Sequence, residues 1–258
     1  MGYRQFRKAL VTGAGGDLGA EICRCLAAAG LDLVITDLSE ERLQPLLEQL
    51  GRYGGSKVST FAADLSDHEG LEETLRRVAD EHPDIDMLIC NAGIDIPAPI
   101  ERYDWRKAKL HFDINTLANY VLCCVFVPRF LERGHGHVTT VISLGGLLGA
   151  PYEHAYNGSK AAARMMMDGL RAETKARGVS WTSVFPGYLE GSMIEDNAFD
   201  VKKATPMPLA AEKIVDASLQ RRALLKFPLG EAMRVTLANS LPVSLRDKLI
   251  IKEMKPMT

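Results

Sequence analysis

The sequence predicts a doubly wound α/β domain, in which helices cover both faces of a parallel β-sheet. Short runs rich in β-branched residues alternate with longer segments of helical periodicity along most of the chain. These short runs are almost continuously apolar, which is typical of strands buried on both faces of a parallel sheet. No linker, repeat or low-complexity segment divides the 258 residues. We therefore predict one domain over residues 1–258.

Six strands and five long helices are predicted along the chain. The strands are KALVTG (8–13), LDLVITD (31–37), SKVSTFAAD (56–64), IDMLICNAG (85–93), HVTTVIS (137–143) and VSWTSVFPG (179–187). The helices cover residues 17–30, 39–54, 67–82, about 104–131, and 154–178. Residues 188–208 are less regular and contain two prolines, which predicts a flexible flap beside the substrate. Residues 240–258 have apolar residues at helical intervals, which fits a helix on a membrane surface, an apolar lid over the active site, or a tail docked on its own or a neighbouring subunit.

The composition excludes several classes of function. The formal net charge is −2 and there is no basic block, which argues against a nucleic-acid partner. The longest apolar run, YVLCCVFVPRFL, is shorter than the roughly 18 residues of a membrane span, and the N-terminal residues lack the pattern of a secretory signal. The five cysteines have no metal-ligand spacing. We therefore expect reduced core cysteines, no metal site and a cytoplasmic location.

A glycine-rich loop, VTGAGGDLG, joins the first predicted strand directly to a helix. Because backbone amides at a helix N-terminus bind pyrophosphate, Gly13, Gly15, Gly16 and Gly19 predict a dinucleotide site. The loop also carries an acid, Asp17, which would repel a pyrophosphate lying close to it. At the start of a helix, the same carboxylate can instead cap free amides and interact favourably with the helix dipole, by about 0.3–1 kcal/mol. We hypothesise a working loop with weakened cofactor affinity.

The second predicted strand ends in Asp37, 18 residues after Gly19. An acid at this place in a dinucleotide-binding fold accepts hydrogen bonds from the adenosine ribose. It would also repel a 2′-phosphate, and no Arg or Lys lies in the glycine loop or immediately after Asp37. The pattern therefore favours NAD over NADP. The alternative is that Asp37 is simply an N-terminal residue of the helix that begins in LSEERL.

Tyr156 and Lys160 lie four residues apart in the sequence AYNGSK. On a helix this spacing places both side chains on one face. A free tyrosine has a pKa of about 10, and a nearby ammonium lowers that pKa and favours the phenolate. Ser143 ends a predicted strand 13 residues earlier, at the sheet edge where doubly wound folds bind ligands. These three residues predict a proton-transfer site.

Together these motifs resemble those of the short-chain dehydrogenase/reductase family, in its single-domain branch, over nearly the whole chain. The resemblance implies a Rossmann-like fold in which Tyr156 exchanges the substrate proton, Ser143 orients the substrate oxygen, and Lys160 binds the nicotinamide ribose while lowering the tyrosine pKa. In this family an asparagine of the preceding long helix holds a water of the proton relay. It matches Asn115, with Asn119 as the nearby alternative.

The resemblance also implies which residues bind the cofactor. The family's glycine motif, T-G-x-x-x-G-x-G, has Asp17 here in place of its middle glycine. The threonine that usually follows the family's P-G pair is replaced by Gly191, with Ser192 beside it as a substitute. For Asp64 there is a local alternative, since Asp and Ser can cap the helix that starts at 67. The complete set is Gly13, Gly15, Gly16, Asp17, Leu18, Gly19, Asp37, Leu38, Asp64, Leu65, Asn91, Ala92, Gly93, Tyr156, Lys160, Pro186, Gly187, Leu189 and Ser192.

The resemblance and the motifs predict an NAD(H)-dependent oxidoreductase that interconverts a secondary alcohol and a ketone, with Tyr156 as general acid/base. Two alternatives remain: a non-catalytic nucleotide-binding regulator of the same fold, and an epimerase or dehydratase that uses the same Tyr/Lys pair. The resemblance also implies a homodimer or homotetramer. The substrate pocket, built from residues near 94–100, 145–154 and 188–208, has apolar character and little else. Steroids, 3-hydroxyacyl groups, polyols and small ketones therefore all remain possible substrates.

Overall fold

The computed structural model describes residues 6–51, 55–191 and 204–253. Its strands are β1 (Lys8–Thr12), β2 (Asp32–Asp37), β3 (Val58–Ala62), β4 (Met87–Cys90), β5 (Gly136–Val141), β6 (Val179–Pro186) and β7 (Leu224–Phe227). They form one parallel sheet in the order β3–β2–β1–β4–β5–β6–β7. The predicted doubly wound fold is confirmed, and all six predicted strands are present. The short edge strand β7 was not predicted.

The strand order reverses between β1 and β4, which are neighbours in the sheet. The loops that follow these two strands lead to helices on opposite faces, so a crevice opens between them at the carboxyl edge of the sheet. This crevice is where the sequence places the glycine-rich loop after β1 and the NAG segment after β4.

Nine α-helices lie within the described ranges. They are α1 (Asp17–Ala28), α2 (Gln44–Leu50), α3 (His68–Glu81), α4 (Trp105–Phe112), α5 (Ala118–Arg133), α6 (His154–Thr174), α7 (Met207–Leu219), α8 (Leu229–Asn239) and α9 (Val243–Glu253). Helix α2 is shorter than predicted because residues 40–43 form a turn and Pro45 lies in the first turn of the helix. Helices α7 and α8 occupy a segment for which no element was predicted.

The long helix predicted over 104–131 is interrupted. A π-helical turn, Asp113–Leu117, separates α4 from α5 and contains Asn115 at its centre. Single π turns are rare and frequently mark functional sites, because the wider turn changes which backbone and side-chain groups face a neighbouring element.

The core lies in two layers, one on each face of the sheet. On one face Ile22 and Leu26 of α1 pack with Ile214 of α7. On the other face Phe126 and Phe130 of α5 pack in the same cluster as residues of α3 and α6. Each of these side chains is almost fully buried, and burial of a side chain of this size contributes about 1.5–3 kcal/mol. The two layers hold the carboxyl edges of the strands in a fixed arrangement.

The segment Trp105–Arg133 has the length and the mean hydropathy, 1.4, of a membrane-spanning helix. More than half of its most apolar stretch is buried inside the protein. Its hydropathy is therefore that of a core helix, since Phe126 and Phe130 pack against the sheet.

Candidate active site

A cavity of about 1710 Å³ extends along the carboxyl edge of the sheet. It runs from the glycine-rich loop after β1 to the segment after β5, and residues of α8 and α9 form another part of its wall. Cavities at this edge are the usual ligand sites of doubly wound sheets. Of the predicted set, the residues that line it are Gly13, Gly16, Asp17, Leu18, Gly19, Asp37, Leu38, Asp64, Leu65, Asn91, Ala92, Gly93, Ser143, Tyr156, Lys160, Pro186, Gly187 and Leu189. Ser192 lies outside the described residues.

The glycine-rich loop requires glycine at three positions. A Cβ on Gly15 would lie 2.6 Å from the backbone carbonyl oxygen of Arg42. Gly13 has a positive φ of 66°, and a Cβ there would lie 2.9 Å from the Ala92 Cα. A Cβ on Gly19 would overlap the carbonyl oxygen of Gly13. Gly16 is the N-cap residue of α1. The loop therefore folds tightly onto the start of α1, where free amides can bind an anion.

Asp17 and Gly191, the two departures from the family pattern, contact each other. Asp17 is the first residue of α1, after the N-cap Gly16. A Cβ on Gly191 would lie 2.7 Å from the Asp17 carboxylate oxygen Oδ2, and Gly191 has a positive φ of 129°. The carboxylate is thus directed toward the backbone of the flap, and a threonine at position 191 would clash with it.

Asp37 has three hydrogen-bond donors within the protein. Its Oδ2 accepts from the Gly15 amide at 3.0 Å, and its Oδ1 accepts from the Leu38 amide at 2.8 Å. The guanidinium of Arg42 donates from Nε to Oδ1 at 2.6 Å. Only 8% of the Asp37 side chain is exposed, against 56% for Arg42. The alternative that Asp37 belongs to a helix does not hold, since it ends β2.

Arg42 is a residue that the sequence analysis missed. It lies five residues after Asp37, in the turn before α2, and it also lines the cavity. The sequence showed only that no Arg or Lys lies in the glycine loop or immediately after Asp37. The turn over residues 40–43 brings Arg42 back to the carboxylate, and spacing along the chain alone did not indicate this contact.

The loops after β3 and β4 complete the end of the cavity that contains the glycine-rich loop. Asp64 is exposed and accepts hydrogen bonds from the amide and hydroxyl of Ser66, which lower its pKa. It does not cap α3, whose N-cap is Asp67. Asn91 donates from Nδ2 to the carbonyls of Thr12 and Gly13, at 3.1 and 3.3 Å. Asn91 therefore fixes the glycine loop to the end of β4.

Ser143 and Tyr156 lie together at the other end of the cavity. The Ser143 Oγ accepts a hydrogen bond from the Gly145 amide at 3.0 Å. Burial raises the pKa of Tyr156 above its ordinary value, the hydrogen bond with Ser143 lowers it, and the charges of Asp95 and Glu153 raise it further. In the protein by itself burial therefore dominates and the pKa of Tyr156 is raised, whereas the sequence predicted that Lys160 lowers it.

Lys160 is buried, with 4% of its surface exposed. Its Nζ donates to the Val141 carbonyl at 3.2 Å and lies 5.8 Å from the centre of the Tyr156 ring. Burial lowers the pKa of Lys160 to about 8, and the nearby Asp95 charge opposes this shift. A Cβ on Gly93 would lie 2.9 Å from Nζ, so the NAG segment leaves room for the ammonium.

Asn115 joins β4 to α6 through its side chain. Its Oδ1 accepts from the Ile94 amide at 2.8 Å, and its Nδ2 donates to the Ile94 carbonyl at 2.9 Å and to Ser159 Oγ at 3.0 Å. The backbone carbonyl of Asn115 accepts from Asn119 Nδ2 at 2.9 Å. The two asparagines considered from the sequence thus act together, and Asn115 is the one beside the tyrosine helix.

The segment after β6 lies against α8. The Gly187 amide donates to the Phe227 carbonyl at 2.7 Å, so β7 supports the P-G pair. A Cβ on Gly187 would overlap the carboxylate of Glu231, an α8 residue that the sequence analysis did not consider. At the base of the predicted flap, Leu189 forms an isolated bridge with Thr205. Residues 192–203 of the flap lie outside the described residues.

Two further acids line the cavity, Asp95 and Glu153. Both fall in segments for which the sequence analysis expected apolar character and little else, and that expectation was incomplete. Glu153 lies three residues before Tyr156 and is the N-cap residue of α6. The spacing of three residues was a signal in the sequence, because residues so spaced share one face of a helix.

Comparison with known sequences shows which protein family the chain resembles. The sequence model of a family described as short chain dehydrogenase matches residues 7–201. An uncharacterized oxidoreductase of Mycobacterium tuberculosis is 34% identical over 194 residues, which cover 74% of this chain and 77% of that protein. An uncharacterized oxidoreductase of Myxococcus xanthus is 27% identical over 253 residues, covering 96% and 97% of the two chains.

Solved structures share the fold. A short-chain dehydrogenase from Sphingobium yanoikuyae in complex with NADPH has a TM-score of 0.81 at 22% identity, and the match covers 98% of both chains. An NAD⁺-bound xylitol dehydrogenase has a TM-score of 0.75 at 19% identity, covering 86% of this chain and 97% of that one. At these identities the similarity establishes the fold.

Proposed function

Because the chain belongs to the short-chain dehydrogenase family of oxidoreductases, we propose that it interconverts a secondary alcohol and a ketone with a nicotinamide dinucleotide. One observation carries the proposal. A single cavity has the glycine loop and Asp37 at one end and the side chains of Ser143 and Tyr156 at the other.

The residues at the nucleotide end fit a dinucleotide. Close backbone packing at Gly13 and Gly19 exposes the start of α1 to the cavity, and such helix starts bind phosphates. The carboxylate of Asp37 lies beside this loop, within reach of a ribose. When bound, the dinucleotide supplies the hydride donor or acceptor. We assign the predicted cofactor residues to this role, except Gly15, whose amide instead bonds Asp37.

Tyr156 supplies or accepts the substrate proton in this proposal. Burial raises its pKa, so the phenol is protonated at neutral pH and ready to donate to a ketone oxygen. Ser143, hydrogen-bonded to Tyr156, holds the same oxygen. Lys160, with a pKa of about 8, remains mostly an ammonium at neutral pH and offsets negative charge that develops on the tyrosine oxygen. In the protein by itself, these properties favour reduction of a ketone.

Asn115 contributes to the proposed proton transfer through its place between the end of β4 and α6. All polar atoms of its side chain have protein partners. If Asn115 holds a water of the proton relay, it does so with the second lone pair of its backbone carbonyl, in the π turn. The π turn would then be needed to direct that carbonyl toward the cavity.

The choice between NAD and NADP rests on Asp37 and Arg42. The carboxylate favours NAD because it repels a 2′-phosphate. Arg42 neutralises part of that charge at 2.6 Å and can itself bind a phosphate. We propose NAD as the preferred cofactor, with NADP accepted less well. The related structures carry both types, NADPH in one and NAD⁺ in another.

We also propose a homodimer or homotetramer. Exposed apolar side chains on three consecutive helices support this assembly, among them Trp105 of α4, Tyr120 of α5 and Met165 of α6. Large apolar side chains that are exposed together often mark an interface between subunits. A cytoplasmic location stays a prediction from cysteine usage.

The test is a search for turnover with both cofactors. Purified protein is mixed with NADH or NADPH and a panel of ketones, and the loss of absorbance of the reduced nicotinamide is followed. We expect turnover that the Tyr156→Phe variant loses. Tight dinucleotide binding without turnover of any ketone, or of any alcohol in the reverse direction, would instead support the non-catalytic regulator.

A further inference from the structure

Two buried carboxyl groups in the cavity wall have no task in the reaction proposed above. Asp95 follows β4, and its side chain is 10% exposed. Glu153 begins α6 and is 7% exposed. Asp95 Oδ1 and Glu153 Oε1 have no hydrogen-bond partner among the described residues. Buried polar atoms without partners are rare and destabilising, so their presence beside a reaction site points to a ligand.

The nearest imidazole does not satisfy Asp95. His111 Nδ1 donates to the Lys107 carbonyl at 2.7 Å, and its Nε2 accepts from the Ile96 amide at 3.0 Å. These two bonds fix His111 in its neutral form, with a lone pair on Nε2. Asp95 Oδ1 lies 3.9 Å from that nitrogen. Burial also lowers the pKa of His111, so it offers Asp95 neither a proton nor a charge.

The two acids act on each other. Burial raises the pKa of Asp95 to about 6, although the Lys160 ammonium opposes the shift. Burial and the charge of Asp95 raise the pKa of Glu153 to about 7, and the neighbouring Asn157 amide offsets this only in part. Lys160 therefore does not compensate the pair, and a second cation between the carboxylates would relieve their repulsion.

Asn157 is a third group of this site, since its amide lies beside Glu153 and lowers the pKa of that acid. Its Oδ1 accepts from the Ala150 amide at 2.7 Å, which fixes the orientation of the side-chain amide. Its Nδ2 has no hydrogen-bond partner among the described residues, although the residue is only 3% exposed. A Cβ on Gly145 would lie 2.6 Å from this Nδ2 and 3.3 Å from Ser143 Oγ. The open amide is therefore close to the serine that holds the substrate oxygen.

We propose that Asp95 and Glu153 form a subsite for a protonated amine of the substrate, with Asn157 donating to a neighbouring substrate acceptor. An ammonium has three N–H donors, which is enough for both open carboxyl oxygens. Apolar side chains of Leu148, Val235 and Leu249 line other parts of the cavity. The substrate class is thus an amino alcohol or amino ketone with an apolar body. This inference rests on the proposed function.

The test compares three alcohols that differ at one group. They are 2-amino-1-phenylethanol, 1-phenyl-1,2-ethanediol and 1-phenyl-1-propanol, which carry an ammonium, a hydroxyl and a methyl group at the same place. We expect kcat/KM to fall in that order. In Glu153→Gln and in Asp95→Asn, the ratio of kcat/KM for the amine to that for the methyl compound should fall at least about tenfold. Glu132→Gln, which removes an exposed carboxylate on α5, should keep the wild-type ratio.

Two results overturn the inference. One is a wild-type preference for the diol or the methyl compound over the amine. The other is a ratio unchanged in both variants of the acid pair.

Failure of the proposed function is distinguished by binding. If no alcohol is oxidised with either cofactor, calorimetry measures binding of 2-amino-1-phenylethanol and 1-phenyl-1-propanol to the protein, with and without NAD. Preferential amine binding that Glu153→Gln abolishes would support the subsite while rejecting the redox reaction. Equal or undetectable binding of both compounds would reject the subsite.

Discussion

The carboxylates at the two ends of the cavity differ in how completely the protein satisfies them. At the nucleotide end, Asp37 accepts from two backbone amides and from Arg42. At the catalytic end, Glu153 and Asp95 each keep one oxygen without a partner. Asp37 is fully hydrogen-bonded within the protein, whereas Glu153 and Asp95 keep acceptor oxygens open. A carboxylate thus either holds a loop in place or stays open to a ligand, depending on the donors that surround it.

This difference has a cost in stability. A buried carboxyl group without partners costs about 1–3 kcal/mol, while charge-assisted hydrogen bonds such as those of Asp37 are stabilising. The nucleotide end therefore contributes to the stability of the fold, and the catalytic end reduces it. Loss of stability at a functional site is a common consequence of arranging groups for a ligand.

The largest effect is expected for substitution of Tyr156, which is the proposed proton donor to the substrate. Tyr156→Phe removes the proton donor but leaves Asp37 and the glycine loop intact. We expect kcat/KM to fall by about 10²–10⁴-fold, whereas dinucleotide affinity, which the glycine loop and Asp37 also provide, should change far less. Steady-state kinetics and fluorescence titration measure the two quantities. Tyr120→Phe, which changes a partly exposed tyrosine of α5, is the control. A variant that keeps more than a tenth of the activity would contradict the general acid assignment.

The second prediction tests the comparison through stability and pH. The folded-state pKa of Glu153 is raised from 4.5 to about 7, so the folded protein holds this proton more tightly than the unfolded chain. Stability is then lost as pH rises from about 4.5 through about 7. Glu153→Leu should remove that loss and gain on the order of 1–3 kcal/mol above pH 7.

Urea unfolding at several pH values measures this gain. The gain in stability should shrink as the pH falls toward about 4.5. The carboxyl of Glu153 in the wild type then becomes protonated in the unfolded state as well as in the folded state. Asp37→Leu is the matched variant, and it should lose stability because three donors lose their acceptor. If Glu153→Leu destabilises the protein at every pH, the contrast between the two ends is wrong.

The third prediction concerns Arg42. Removal of its guanidinium in Arg42→Ala leaves the charge of Asp37 unopposed at the ribose site. We expect NADP to bind about tenfold more weakly, while NAD changes by less than about threefold. Titration with each dinucleotide gives the ratio of the dissociation constants for NADP and NAD. Arg76→Ala, on the exposed face of α3, should leave it unchanged, and equal losses for both cofactors would show that Arg42 only positions the turn.

The smallest effect is expected at Asp17. Asp17→Gly removes a carboxylate from the phosphate loop and should tighten dinucleotide binding by about two- to fivefold. Because Gly191 contacts Asp17, Gly191→Thr should weaken binding in the wild type and less so in the Asp17→Gly background. A double-mutant cycle measures this coupling. Weaker binding by Asp17→Gly alone would mean that the carboxylate is needed.

Local sequence patterns predicted much of the fold. The five strands of the sheet interior have almost continuously apolar sequences, and these five and the edge strand β3 were predicted. The edge strand β7 was missed because it is only four residues long, Leu224 is exposed, and Leu225 and Lys226 are only partly buried. The π turn at Asn115 was missed as well, since it lies within a helical pattern that continues on both sides.

In the candidate site, too, local motifs were predicted from the sequence and contacts between distant residues were missed. The glycine loop, Ser143 and the pair Tyr156 and Lys160 were predicted because their chemistry depends on spacing within one turn or one helix. Arg42 and Glu231 were missed because Arg42 reaches Asp37 through a turn and Glu231 reaches Gly187 from a distant helix. Asp95 was missed because only the folded chain shows that its side chain is buried in the cavity wall.

By itself, the sequence predicted most of the strands and helices in their order, the tight turn of the glycine-rich loop and the candidate proton-transfer residues Ser143, Tyr156 and Lys160. Only the tertiary structure decided which acids are satisfied and which are open, and whether burial or the lysine governs the Tyr156 pKa. The physical reason is range: helix spacing and glycine conformations act over a few residues, whereas desolvation and the pairing of charges depend on every element packed around a group.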